Sequence, residues 1–309
     1  MSAINGLIRT LLFGNYFYGI CVIALSVEAA LQQHFPLTTP AYYIFIFVST
    51  VLYYTHAYIA EPAVTTLTAD PVNQRTRWYT KNRRLINYSQ QLFTLVFFAS
   101  GLYLLIVNWS HILHTGLWQW TLILIFPLVA GLYYGTVAPH TATNNLRNKG
   151  WLKPFVIGFV WAGAVTIYPV LFSSIERGAA FAPDIISILL FIKNFMYITM
   201  LCIMFDIKDY AADHNHHLKT FVVRLGLRKT IFYILIPLSI TGLGTFILYA
   251  VLRDFPLLRI FINTIPFVLL IIVAYSMHRR KSILYYLAII DGLMLAKAVC
   301  GIIGITLIK

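Results

Sequence analysis

Nine times along this chain of 309 residues, a run of roughly twenty positions passes almost without charge. A membrane-spanning helix needs such a run. The hydrocarbon core of a bilayer is about 30 Å thick and offers no water to an unpaired backbone group, so each crossing takes about twenty apolar residues in helical form. The runs are 14 to 32, 41 to 60, 88 to 107, 115 to 136, 152 to 172, 183 to 205, 229 to 252, 258 to 277 and 282 to 307. The overall content agrees, since only 11% of residues are charged against about a quarter in soluble chains. The expected fold is all-α: a polytopic membrane protein in which nine transmembrane helices form one bundle. No linker rich in Pro, Gly or Ser divides it, so residues 1 to 309 read as a single domain.

The amino terminus has a basic residue ahead of an apolar run but no small-residue cleavage site, and reads as the first permanent span. Cys21, Cys202 and Cys300 fall in or beside spans without metal-ligand spacing, and read as core filler.

A net charge of +13 in a soluble protein would suggest nucleic acid as a partner. Here its placement explains it better. Arg9 and the connections after the second, fourth, sixth and eighth runs hold 17 of the 23 Lys and Arg residues. Cytoplasmic loops carry such an excess, so the amino terminus should be cytoplasmic and the carboxyl terminus outside, in a membrane of the bacterial inner type. The bilayer is then the expected partner and nucleic acid is not.

Three connections on that face are large enough to cap the bundle: 61 to 86, 137 to 151 and 206 to 229. The first and last are long, polar, and end in basic clusters four spans apart, which suggests an internal repeat of four-helix units.

The last of these opens with the chain's densest chemistry, "FDIKDYAADHNHHLKT" over Phe205 to Thr220, where three of the ten acids occupy eight positions. If the sixth helix continues past Phe205, Asp206, Asp209 and Asp213 stand at i, i+3 and i+7, within about 60° of arc. Carboxylates so close repel unless a cation joins them. A hard divalent ion suits them, and magnesium takes one or two carboxylates together with phosphate oxygens. Nearby Arg and Lys would bind the same phosphate by charge-assisted hydrogen bonds. His214, His216 and His217 lack cysteine partners for zinc and read as a solvated turn.

"FDIKDYAADHNHHLKTFVVRLG" resembles the second aspartate-rich motif of the UbiA-type intramembrane prenyltransferases, of the form DIxDxxxDxxxGxKTxxxxLG. Asp206, Asp209, Asp213, Lys219, Thr220, Leu225 and Gly226 fall in register, with His217 where the family often has glycine. "LYYGTVAPHTATNNLRNKGWLKPFVIGFVWAG" is similar to the end of that family's fourth span and the start of its fifth. The resemblance implies nine spans, a cytoplasmic active face and transfer of an isoprenyl chain from a prenyl diphosphate to a lipophilic aromatic or quinone-precursor acceptor.

It further implies Asp206, Asp209 and Asp213 as the catalytic, magnesium-binding acids. Tyr134, Arg83, Arg147, Lys149, Lys153 and Lys219 become the candidates for holding diphosphate. The family's first motif, NDxxDxxxD, maps onto Thr66, Leu67, Asp70 and Gln74, so that only Asp70 remains as a metal ligand, with Glu61 as a substitute. Half a carboxylate set keeps open a protein on the same scaffold that binds a diphosphate lipid without transferring it, and the charges inside spans together with the possible repeat keep open a transporter.

Charges inside spans are expensive in hydrocarbon and should face the bundle interior. Lys193 and Asp291 are expected to pair across the bundle, as acceptor-binding groups or as a packing device. Lys297 is six residues from Asp291, roughly 240° around a helix, and points elsewhere. Glu28, near the outer end of the first span, is expected to reach the interface.

Overall fold

Every regular element of the computed structural model is a helix among the described residues, which are 2–60, 74–134, 150–179, 181–215, 220–278 and 281–307. In chain order they are α1 (Ser2–Phe13), α2 (Tyr16–Gln32), α3 (Pro40–Ala60), α4 (Gln74–Lys81), α5 (Arg83–Val107), α6 (Trp109–Leu113) and α7 (Leu117–Tyr134). There follow α8 (Lys153–Glu176), α9 (Ile185–Asn215), α10 (Phe221–Leu225), α11 (Leu227–Leu252), α12 (Leu257–Ser276) and α13 (Ile283–Thr306).

Six of these, α5, α8, the 185–208 part of α9, α11, α12 and α13, are long and apolar enough to cross a membrane. The chain is an integral membrane protein. Of the other expected crossings, α3 is a helix of 21 residues and α7 one of 18, and neither is among the six. The run expected from residue 14 is α2, bent by 67° from the segment before it, and counts as a seventh crossing only together with that segment.

The bend has a physical cause. Asn15 adopts φ +64°, a left-handed conformation that Asn tolerates better than most residues. The Phe13 carbonyl freed at the break is taken by a residue from α4: Arg75 donates to it through Nε (3.2 Å) and Nη2 (3.0 Å), and to the Tyr58 hydroxyl at 2.8 Å. Arg75 also donates to Asn15 Oδ1, and the Tyr79 hydroxyl joins on the Phe13 carbonyl at 3.0 Å. Burial pushes that hydroxyl up to about 12, so it stays a donor at neutral pH. Arg75, one of the basic residues of the 61 to 86 connection, is thus a buried clasp.

At the centre, α9 packs between α8 and α11, while α2 packs between α3 and α13, and α13 also meets α12. Small residues permit the closest approach. A Cβ on Gly158 of α8 would come within 2.2 Å of the Thr199 hydroxyl on α9. Three helices widen for one turn into π geometry, at Gly163–Ile167, Ile231–Leu235 and Tyr286–Ile290. The first two precede Pro169 and Pro237 by two residues. A proline ring clashes with the carbonyl four residues back, and a widened turn relieves that clash without ending the helix.

Candidate functional site

The helix expected to continue past Phe205 does so. α9 runs unbroken from Ile185 to Asn215, so positions 206, 209 and 213 stand at i, i+3 and i+7 of one helix. Asp206 is fully buried, and its Oδ1 accepts from Lys153 Nζ at 2.9 Å; the Lys153 side chain is 26% exposed. This pair joins the first residue of α8 to α9 at the end of the bundle that carries the acidic motif, the motif end. Beyond it Thr220 caps α10, its hydroxyl accepting from the Val223 amide at 3.4 Å. Gly226 then stops α10 at φ +77°, a conformation that accounts for a glycine there.

One turn inward from Lys153, Val156 and Ile157 begin the wall of a cavity of about 240 Å³ between α2, α3, α7 and α8. Its lining is aromatic: Tyr53, Tyr54, Phe126, Tyr133, Trp161 and Tyr168. Trp161 Nε1 donates to the Tyr54 hydroxyl at 2.5 Å, and Tyr18 stacks on Tyr54 at 4.6 Å between ring centres. The arrangement is an apolar chamber under a charged mouth. A second apolar cavity, of about 510 Å³, lies between α5 and α8 toward the opposite end, lined among others by Phe97, Leu104, Trp120 and Phe172.

Of the residues expected to hold diphosphate, Lys153 is at the mouth. Arg83 opens α5, which packs on α3, α4 and α6, and it makes no hydrogen bond or ion pair with Asp206. Tyr134 ends α7. Arg147, Lys149, Lys219, Asp70 and Glu61 lie outside the described residues, as do the side chains of Asp209 and Asp213.

Among the described residues no cluster of three His, Cys, Asp or Glu side chains could hold a metal ion. Lys153 engages Oδ1 of Asp206, and the side chains of Asp209 and Asp213, the other acids of the expected magnesium set, lie outside the described residues.

The expected pair of Lys193 with Asp291 is not made. Lys193 instead reaches Gln32 Oε1 at 2.9 Å and Glu28 Oε1 at 3.5 Å, and Lys297 takes Glu28 Oε2 at 2.6 Å. Glu28 is therefore not an interface residue: it is 1% exposed, with lysines on both oxygens. Asp291 is buried nearer the motif end, where its backbone carbonyl accepts from Cys21 Sγ at 3.9 Å. The reason is register. Lys193 is thirteen residues from Asp206, about 20 Å along α9, which carries it into the layer of Glu28 rather than that of Asp291.

No family model, curated protein or solved structure matches the chain. The likeness to the UbiA-type enzymes thus rests on the residues quoted for it.

Proposed function

We propose that the chain is a UbiA-type prenyltransferase of nine crossings that takes an isoprenyl diphosphate at a cytoplasmic mouth and lays the chain in the aromatic chamber below. The observation that supports this most is the adjacency of the two parts: a helix bearing Asp206 and its Lys153 partner, and an aromatic cavity starting one turn further in. Lys153, joined by Arg147, Lys149 and Lys219 from the neighbouring connections, supplies positive charge for the diphosphate.

In the transfer step the allylic carbon–oxygen bond breaks and diphosphate leaves with the electron pair. Fixed cations stabilise the charge that develops on it. The ring faces of Tyr54, Trp161 and Tyr168 stabilise the allyl cation. The acceptor then supplies an electron pair and loses a proton. Magnesium is the part of this reading that rests on the resemblance alone, through Asp206, Asp209 and Asp213.

A second reading, binding without transfer, is favoured by the engagement of Asp206 with Lys153. Titration of the purified chain with a prenyl diphosphate, with and without magnesium, tests both. We expect saturable binding that weakens about tenfold in Lys153→Met, a single charge-assisted contact, and Asp206→Ala should abolish any magnesium dependence. Release of diphosphate in the presence of a panel of phenolic and quinone-precursor acceptors separates enzyme from binder. Absence of prenyl diphosphate binding under both conditions would sink both readings.

A further inference from the structure

The end of the bundle opposite the motif holds more positive charge than its acids neutralise. Glu28 carries one negative charge against the two lysines it touches, all three at least 96% buried. Next to them on α12 stands Arg259, 9% exposed. The two groups are tied through α13. A Cβ on Gly301 would meet Glu28 Cγ at 2.4 Å, and one on Gly304, a single turn further, would meet Asn263 Nδ2 at 2.6 Å and Arg259 Cγ at 3.4 Å. Residues three apart share a helical face, so Glu28 and Arg259 lie along one strip of α13. Tyr249 closes the layer by donating to the Gln32 carbonyl at 2.7 Å.

Arg259 stacks over the Phe255 ring at 3.6 Å, yet its Nε and Nη2 are buried without a hydrogen-bond partner. Those two donors form the side-on fork that matches a carboxylate or a phosphate bidentately. Among the described residues no carboxylate fills it: Asp184 Oδ1 is held by Ser187 (2.8 and 2.9 Å), Glu176 serves Thr39, and Asp254 is exposed. At the rim, Arg253 also has a buried, unpartnered Nε, beside the exposed His34. Burial, and then the charge of these two guanidiniums, holds the His34 imidazole below its ordinary pKa.

We propose that this far end is an anion site, in which the Arg259 fork binds one carboxylate or phosphate group, Arg253 guides it in, and the Lys193–Glu28–Lys297 cluster supplies the attracting field. Buried donors left unmade are costly, and an excess of buried positive charge is costly too. One bound anion relieves both. The group is either a lipid headgroup from the adjoining leaflet or a soluble anion.

The test uses the full chain, purified and delipidated in neutral detergent, and follows its melting temperature and native mass spectrum. Phosphatidylglycerol in mixed micelles, or inorganic phosphate, should raise the melting temperature by about 5 °C at saturation. A rise with the lipid alone assigns the headgroup, and a rise with both assigns a free anion. Either way Arg259→Lys, which keeps the charge and loses the fork, should remove most of the rise, and Arg253→Gln should weaken the apparent affinity several-fold. An equal rise in both variants would place the binding on the basic connections of the motif end and overturn the proposal. So would no rise in the unmodified chain.

Discussion

The two ends of this bundle each hold a buried carboxylate bound to lysine, and they treat it differently. At the motif end Asp206 meets a lysine that is about a quarter exposed, so water reaches the pair and a ligand can compete for it. At the far end Glu28 meets two lysines that are themselves enclosed. There the charges are fixed by their surroundings. A pair open to solvent contributes little net stability and is free to exchange partners, whereas an enclosed one holds its neighbours because separation leaves a bare charge in a medium of low dielectric.

The largest effect that would break this contrast is expected at Glu28. Glu28→Gln leaves Lys193 and Lys297 without a counter-charge and should cost about 3–5 kcal/mol of stability, read as a lower melting temperature and poor recovery in detergent. Replacing all three together, as Glu28→Leu, Lys193→Met and Lys297→Met, should recover most of that loss; if it does not, the cluster does more than balance itself. Gly301→Ala comes next. Its new methyl would have to displace Glu28 and should cost about 1–3 kcal/mol in the same measurement. Lys153→Met should be the mildest for stability, about 1–2 kcal/mol, because water can enter beside the quarter-exposed position and solvate the Asp206 carboxylate, although it carries the predicted tenfold loss of prenyl diphosphate binding. A stability loss as large as that of Glu28→Gln would mean the two ends do not differ in the way described.

How far these ends can be read from sequence follows the same division. The acid run at 206 to 213 was visible because its residues are close in the chain and a helix turns closeness into a shared face; the observed continuation of α9 to Asn215 meets that expectation. Lys153 was visible as a cation heading the apolar run before the one that carries the acids. The far-end cluster was not, since Glu28 meets its partners across 165 and 269 residues and no local pattern records that. An isolated charge in an apolar run signals a buried partner without saying which one, and Asp291 was the wrong choice for Lys193. The bend at Gly14–Asn15 was hidden likewise, because its clasp is an arginine 60 residues on that looks like any other basic loop residue.

The reach of Glu28 also bears on how the chain is made. α2 is synthesised early, and Lys297 follows 269 residues later, midway along α13. For most of translation the carboxyl has one partner within its own helix, the Gln32 amide at 2.7 Å one turn along. Gln32 is thus a nursemaid as well as a ligand of Lys193, shielding a lone acid until the opposite charges arrive, and the bundle closes its far end only when its final helix docks.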